Sequence, residues 1–88
     1  MKPWTIGEKR YAYAVVSSAP LTISGVTYTI YDTEDESVVA SGVGGVQDQT
    51  VHCLWQPDEI GVYVIDFDYV VGQETFTSRQ VVEVKETI

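Results

Sequence analysis

Apolar and polar residues alternate with a period of two along most of this chain, most clearly from Tyr63 to Val71. Tyr63, Ile65, Phe67, Tyr69 and Val71 fall on one face, and Val64, Asp66, Asp68 and Val70 on the other, as successive side chains of a strand do. The two carboxylates mark a solvent face, so the pattern predicts Tyr63, Ile65 and Phe67 buried and Asp66 and Asp68 exposed. Upstream, Lys9 to Ser18 predicts a first strand with Tyr11, Tyr13 and Val15 on one side and Ala12, Ala14 and Val16 on the other. Both sides are apolar, so periodicity leaves its inward face open.

The next run changes register. Leu21 and Ile23 stand on odd positions, but past Ser24-Gly25 the apolar set moves to Val26, Tyr28 and Ile30, which predicts a bulge or short turn near Gly25. Asp32 to Ser37 is a polar turn, Ser37 to Ser41 a short strand, and Gly42, Gly44 and Gly45 a flexible loop. Gln47 to Trp55 predicts another strand. Alternation puts Val51, Cys53 and Trp55 inward, in preference to Thr50 and His52, because a buried imidazole needs a hydrogen-bond partner and a valine does not. Gly72-Gln73, Gly first, fits a two-residue type II′ hairpin turn leading to a last strand from Glu74 to about Lys85, with Val82 and Val84 inward. No window carries helical periodicity. Residues 1–8 read as an irregular lead-in whose Trp4 can fold back over the edge, and residues 9–88 as a single β-sandwich domain.

Between the Gln47 to Trp55 strand and the one that starts near Tyr63, Pro57 and Gly61 provide a rigid φ and a position without a Cβ, which favours a sharp corner between sheets. The stretch Glu59-Ile60-Gly61-Val62-Tyr63-Val64-Ile65 resembles the tyrosine corner of immunoglobulin-like domains, in which a tyrosine hydroxyl bonds back to the corner backbone. That resemblance implies that Tyr63 is the corner tyrosine. It also implies an all-β fold, an immunoglobulin-like or fibronectin-like antiparallel sandwich of about six to seven strands. The chain departs from the family in having Ile65 where the second disulfide cysteine stands, a lone Cys53, and no tryptophan on the third strand.

The 88 residues carry a formal charge of −8, which repels nucleic-acid phosphates, and the five basic residues are too scattered to favour an anionic membrane surface. No apolar run approaches the roughly 20 residues of a membrane helix. The N-terminus lacks the pattern of a signal peptide, so cytoplasmic synthesis, or excision from a longer protein, is expected. His52 adjoins Cys53, but strand neighbours point to opposite faces, so no Cys–His nucleophile is expected. Asp32, Glu34, Asp35 and Glu36 lack the ligand spacing of a calcium loop and read as a solvated turn, although calcium there stays open. Gly42 to Gly45 has no following Lys-Ser/Thr or helix to bind phosphate. No enzyme, cofactor or metal is expected.

The function expected is a non-catalytic structural or protein-interaction module with a protein partner or self-association. In length and style the chain resembles small immunoglobulin-like proteins of tailed phages and prophages, which implies a virion head–tail or tail accessory role. A carbohydrate-binding or adhesive module of a larger secreted bacterial protein is the alternative. The candidate contact residues are Tyr11, Tyr13, Val15 and Tyr31, because the first strand runs Tyr-Ala-Tyr-Ala-Val-Val without a charge and open strand edges are either blunted or used.

Overall fold

The computed structural model describes residues 3–17 and 21–86; Met1, Lys2, Ser18 to Pro20, Thr87 and Ile88 lie outside the described residues, and with them the predicted end of the first strand. The strands are β1 (Trp4–Thr5), β2 (Arg10–Val15), β3 (Ile23–Asp32), β4 (Val38–Val43), β5 (Gly45–Gln47), β6 (Thr50–Trp55), β7 (Gly61–Val71) and β8 (Glu74–Lys85). The described residues contain no helix. One sheet has five strands in the order β1-β8-β7-β3-β4 and the other has three in the order β2-β6-β5. All pairings are antiparallel except β1 with β8, where Trp4 lies opposite Val84 and Thr5 opposite Lys85 in a parallel arrangement.

The inward faces of both sheets share one buried cluster. From the three-stranded sheet come Ala12, Val51, Cys53 and Trp55; from the other come Trp4, Ile23, Val26, Ile30, Tyr63, Ile65, Phe67, Tyr69, Val82 and Val84. The open choice on the first strand is settled by size: the small Ala12 turns inward, and the bulky Tyr11 and Tyr13 stay outside. The aromatic rings Trp4, Trp55 and Tyr63 form a row through this core, with Trp55 at 5.0 Å from Trp4 and 5.2 Å, edge-on, from Tyr63. Each large side chain fully buried this way stabilises the fold by about 1.5–3 kcal/mol.

Several turns form where the chain pattern places them. The register of β3 against β7 shifts between Ser24 and Thr27, around Gly25. Val71 pairs with Glu74 across Gly72-Gln73, with Gly72 at φ +65°. At the corner, Tyr63 Oη donates to the Glu59 carbonyl at 3.0 Å.

Four expectations need correction. The lead-in is not wholly irregular, because Trp4 finds a deep site, only 2% exposed, and Thr5 follows it into the ladder with β8. Among the described residues the strands number eight, and the β1–β8 pair makes the five-stranded sheet mixed rather than antiparallel. The glycine stretch is not a loop: Gly42 lies in β4 and Gly45 in β5, with a break only at Gly44, so β6 starts at Thr50 and not at Gln47. At Gly44 the chain passes from one sheet to the other, and its N–H donates to the Val26 carbonyl at 2.9 Å. A Cβ there would stand 2.8 Å from the His52 carbonyl and 2.9 Å from Val26 Cγ1, so only glycine allows the crossing.

The last correction concerns Asp66, expected to be exposed and found 6% exposed. The alternation itself is intact, since Ile65 and Phe67 are both 0% exposed. Asp66 is on the outer face, but its neighbour on β8, Arg79, lies over it. Arg79 Nε and Nη2 donate to the two carboxylate oxygens at 2.8 and 2.9 Å, while the arginine itself stays 66% exposed. The guanidinium is a lid that keeps water off the carboxylate and replaces the lost hydration with two charge-assisted bonds. The same pair raises the Arg79 pKa, chiefly through the hydrogen bond and then through the charge of Asp66. Asp68, also expected to be exposed, is half-buried and accepts a hydrogen bond from Thr77 Oγ1.

Candidate interaction surface

Strand β2 is an edge of the three-stranded sheet, paired only with β6. Its outward residues Tyr11, Tyr13 and Val15 are 58%, 62% and 74% exposed and stand opposite Leu54, His52 and Thr50. The face made by these six residues has no carboxylate, lysine or arginine and is largely apolar. The His52 ring packs edge-on against Tyr11 at 5.3 Å and lies over Gly45, where any Cβ would collide with the imidazole. A glycine at that position lets the ring lie along the sheet and extend the flat face toward β5.

The edge itself is open. Ala12 and Ala14 lie on the side of the ladder that bonds β6, a series continued by the Val16 N–H bond to the Gln49 carbonyl at 2.7 Å. By the alternation of an antiparallel pair, the N–H and C=O groups of Tyr11, Tyr13 and Val15 turn the other way. One of them is satisfied by a side chain: Gln80 Nε2 donates to the Tyr13 carbonyl at 3.0 Å. A side-chain amide there stands in for the peptide N–H of a neighbouring strand.

Comparison with protein-family models, curated proteins and solved structures finds no match to this chain.

Of the four candidate residues, three come together on β2. Tyr31 does not join them: it lies on β3, half-buried, at a shallow depression of about 430 Å³ on the five-stranded sheet, with Asp32, Thr33, Glu36, Val64 and Arg79. Leu54, 41% exposed beside Tyr11, belongs to the face and was legible from the same alternation that turned Cys53 and Trp55 inward. Gln80 is joined to the edge only by tertiary structure, and no local signal marks it.

The other sequence candidates resolve as structural groups. Asp32 Oδ1 accepts the Glu34 N–H at 2.8 Å, and Asp35 Oδ1 accepts both the N–H and the hydroxyl of Ser37 at 3.0 and 2.7 Å. These carboxylates hold the turn, and the Ser37 bonds keep the Asp35 pKa below its ordinary value. Among the described residues no group of three or more His, Cys, Asp or Glu is placed to hold a metal ion. Cys53 is buried in the core, where desolvation pushes its thiol pKa up to about 11, while His52 sits on the opposite, outer face.

Proposed function

We propose that this chain is a non-catalytic protein-interaction module with an immunoglobulin-like strand order, docking through the face and open edge of β2. The observation that carries the proposal is the exposed, uncharged row Tyr11, Tyr13 and Val15 with Leu54, set on an edge strand whose outer backbone groups, the Tyr13 carbonyl apart, are open to a further strand. Tyrosine suits such a surface, since it supplies a large contact area with few rotatable bonds and a polar tip.

The immunoglobulin-like part is supported by the strand order. In a variable-type domain the second, fifth and fourth lettered strands form one sheet, and the last two lettered strands join the third and its added neighbour in the other. The orders β2-β6-β5 and β8-β7-β3-β4 follow that arrangement, with β1 attached beside β8. The Tyr63 bond at the corner supports it too. Trp55 and Trp4 occupy the core in place of the disulfide and the third-strand tryptophan of antibody domains. An accessory role in a phage or prophage virion is the setting this module fits, by length and style. The carbohydrate-binding alternative is less favoured, because the cross-strand neighbours of Tyr11, Tyr13 and Val15 are Leu54, His52 and Thr50, none of them a carboxylate or asparagine to bind sugar hydroxyls.

The test is the double variant Tyr13→Lys with Val15→Lys. Both residues are exposed, so circular dichroism and the melting midpoint should be unchanged, while association with proteins encoded by neighbouring genes, measured by calorimetry, should be lost. Unchanged association removes β2 as the contact. Shifts of the Tyr11 and Tyr13 ring resonances on titration with oligosaccharides would favour the sugar-binding alternative.

A further inference from the structure

Another edge of the molecule, on the five-stranded sheet, has a different character. Strand β4 ends the five-stranded sheet, so half of its backbone N–H and C=O groups face outward. From Val38 to Gln47 the chain has no charged residue, and Val38, Val39 and Val43 are 55%, 47% and 84% exposed. Nothing in this segment blunts the edge as lysine or proline would.

Beside β4 lies a pocket of about 370 Å³ walled by Val39, Ala40, Trp55, Pro57 and Tyr63, with Asp58 and Glu59 at its rim. The carboxylates of Asp32, Glu59 and Asp58, in that order and after burial itself, raise the Tyr63 pKa, so negative charge gathers around the pocket. Among the described residues none of the ion pairs Arg10–Glu8, Arg79–Asp66 and Lys85–Glu83 involves Asp58 or Glu59.

The molecule shows elsewhere what such a site takes. At the far end of the aromatic row, the Arg10 guanidinium stacks over the Trp4 ring at 4.4 Å and pairs with Glu8. At the Tyr63 end the buried Trp55 and Tyr63 rings, 7% and 3% exposed, form the floor of the pocket, with carboxylates beside them and no Lys or Arg among the described residues that line it. A long cationic side chain meets both requirements, its methylenes against Val39, Ala40 and Pro57 and its charged head toward Asp58 and Glu59.

We propose that this pocket receives an arginine or lysine of another protein, carried by an extended segment that adds to the free edge of β4. This rests on the reading of the chain as an interaction module, at a surface separate from β2. Charge selects a foreign segment over a second copy, because two chains of −8 repel each other.

The experiment uses two synthetic peptides, acetyl-Thr-Val-Arg-Val-Thr-amide and the same peptide with neutral citrulline for arginine, titrated to millimolar concentration against the full chain and followed by NMR. The arginine peptide should shift the Trp55 indole N–H and the Val39 and Ala40 amides, and bind about tenfold more tightly than the citrulline peptide. Its affinity should fall as salt rises. Asp58→Asn with Glu59→Gln should weaken binding about tenfold at an unchanged unfolding midpoint, whereas Tyr13→Lys with Val15→Lys should leave it unaltered, which separates this proposal from the β2 face. Absence of shifts, equal binding of the two peptides, shifts confined to β2, or a concentration-dependent dimer blocked by Ala40→Pro would each overturn it.

Discussion

Trp4→Ala separates two views of the N-terminal segment, a loose lead-in and a part of the core. Trp4 is 2% exposed, packs on Trp55 and is capped by Arg10. A tryptophan buries about 200 Å², which at ~25 cal/mol per Å² is worth ~5 kcal/mol. Losing it also frees the two residues of β1, and their regained backbone freedom returns roughly 2 kcal/mol. The expected net cost is about 3 kcal/mol, at the lower end for a tryptophan truncated to alanine. With a urea slope of about 1 kcal/mol/M for a domain this small, the midpoint should fall by about 3 M. Trp55 remains as the sole tryptophan, so its fluorescence reports the transition in the variant, and circular dichroism should give the same midpoint. Hydrogen exchange should quicken at Ile6 and Gly7, whose N–H groups bond the Lys85 and Pro57 carbonyls at 2.8 Å each. A loss below about 1 kcal/mol, with those amides still protected, would refute the assignment of Trp4 to the core.

Phe67→Ala, at the centre of β7 with 0% exposure, should cost about 3–5 kcal/mol out of a total stability of about 5–10, measured by the same urea titration. Tyr63→Phe keeps the ring and removes only the bond to Glu59, so its cost should be about 1 kcal/mol. The raised Cys53 pKa means that the folded state holds the thiol proton more tightly than the unfolded chain does. This contribution to stability is full below pH 9 and is lost as pH climbs to about 11, which urea midpoints across that range test; at pH 8 iodoacetamide should react with Cys53 only on unfolding. A chelator should leave the melting temperature unchanged, and a rise of several degrees with millimolar calcium would contradict the structural role given to the Asp32 to Glu36 turn.

What was legible in the sequence was local. The alternation from Tyr63 to Val71 and the break at Gly25 depend on neighbours within a few positions, and both formed as the pattern predicts. The inward turn of Val51, Cys53 and Trp55 followed from the cost of burying His52. The burial of Asp66 depends on Arg79, a cross-strand neighbour that hairpin register alone places over it, so the carboxylate looked like a solvent marker. Trp4 was illegible for a similar reason: a two-residue strand has no period, and its partner Val84 lies at the other end of the sequence. The glycines at 42, 44 and 45 suggested a loop by composition, yet their small size serves packing against Tyr28, Val26 and His52. Of the interaction residues, Tyr11, Tyr13 and Val15 were found by counting charges along a strand. The pocket at Trp55 and Tyr63 was not, because it is assembled from β4, β6, β7 and the corner between the last two.

The parallel pairing of β1 with β8 also determines how the molecule bears force. A pull on the N-terminal end of β1 and the C-terminal end of β8 draws the two strands past each other along their length, so the hydrogen bonds between them are stretched together rather than opened one after another. The buried Trp4 ring must leave the core in the same step. Tension applied through the two ends of this chain therefore meets its first resistance at the β1–β8 clamp, and the rest of the two sheets is sheltered until that clamp slips.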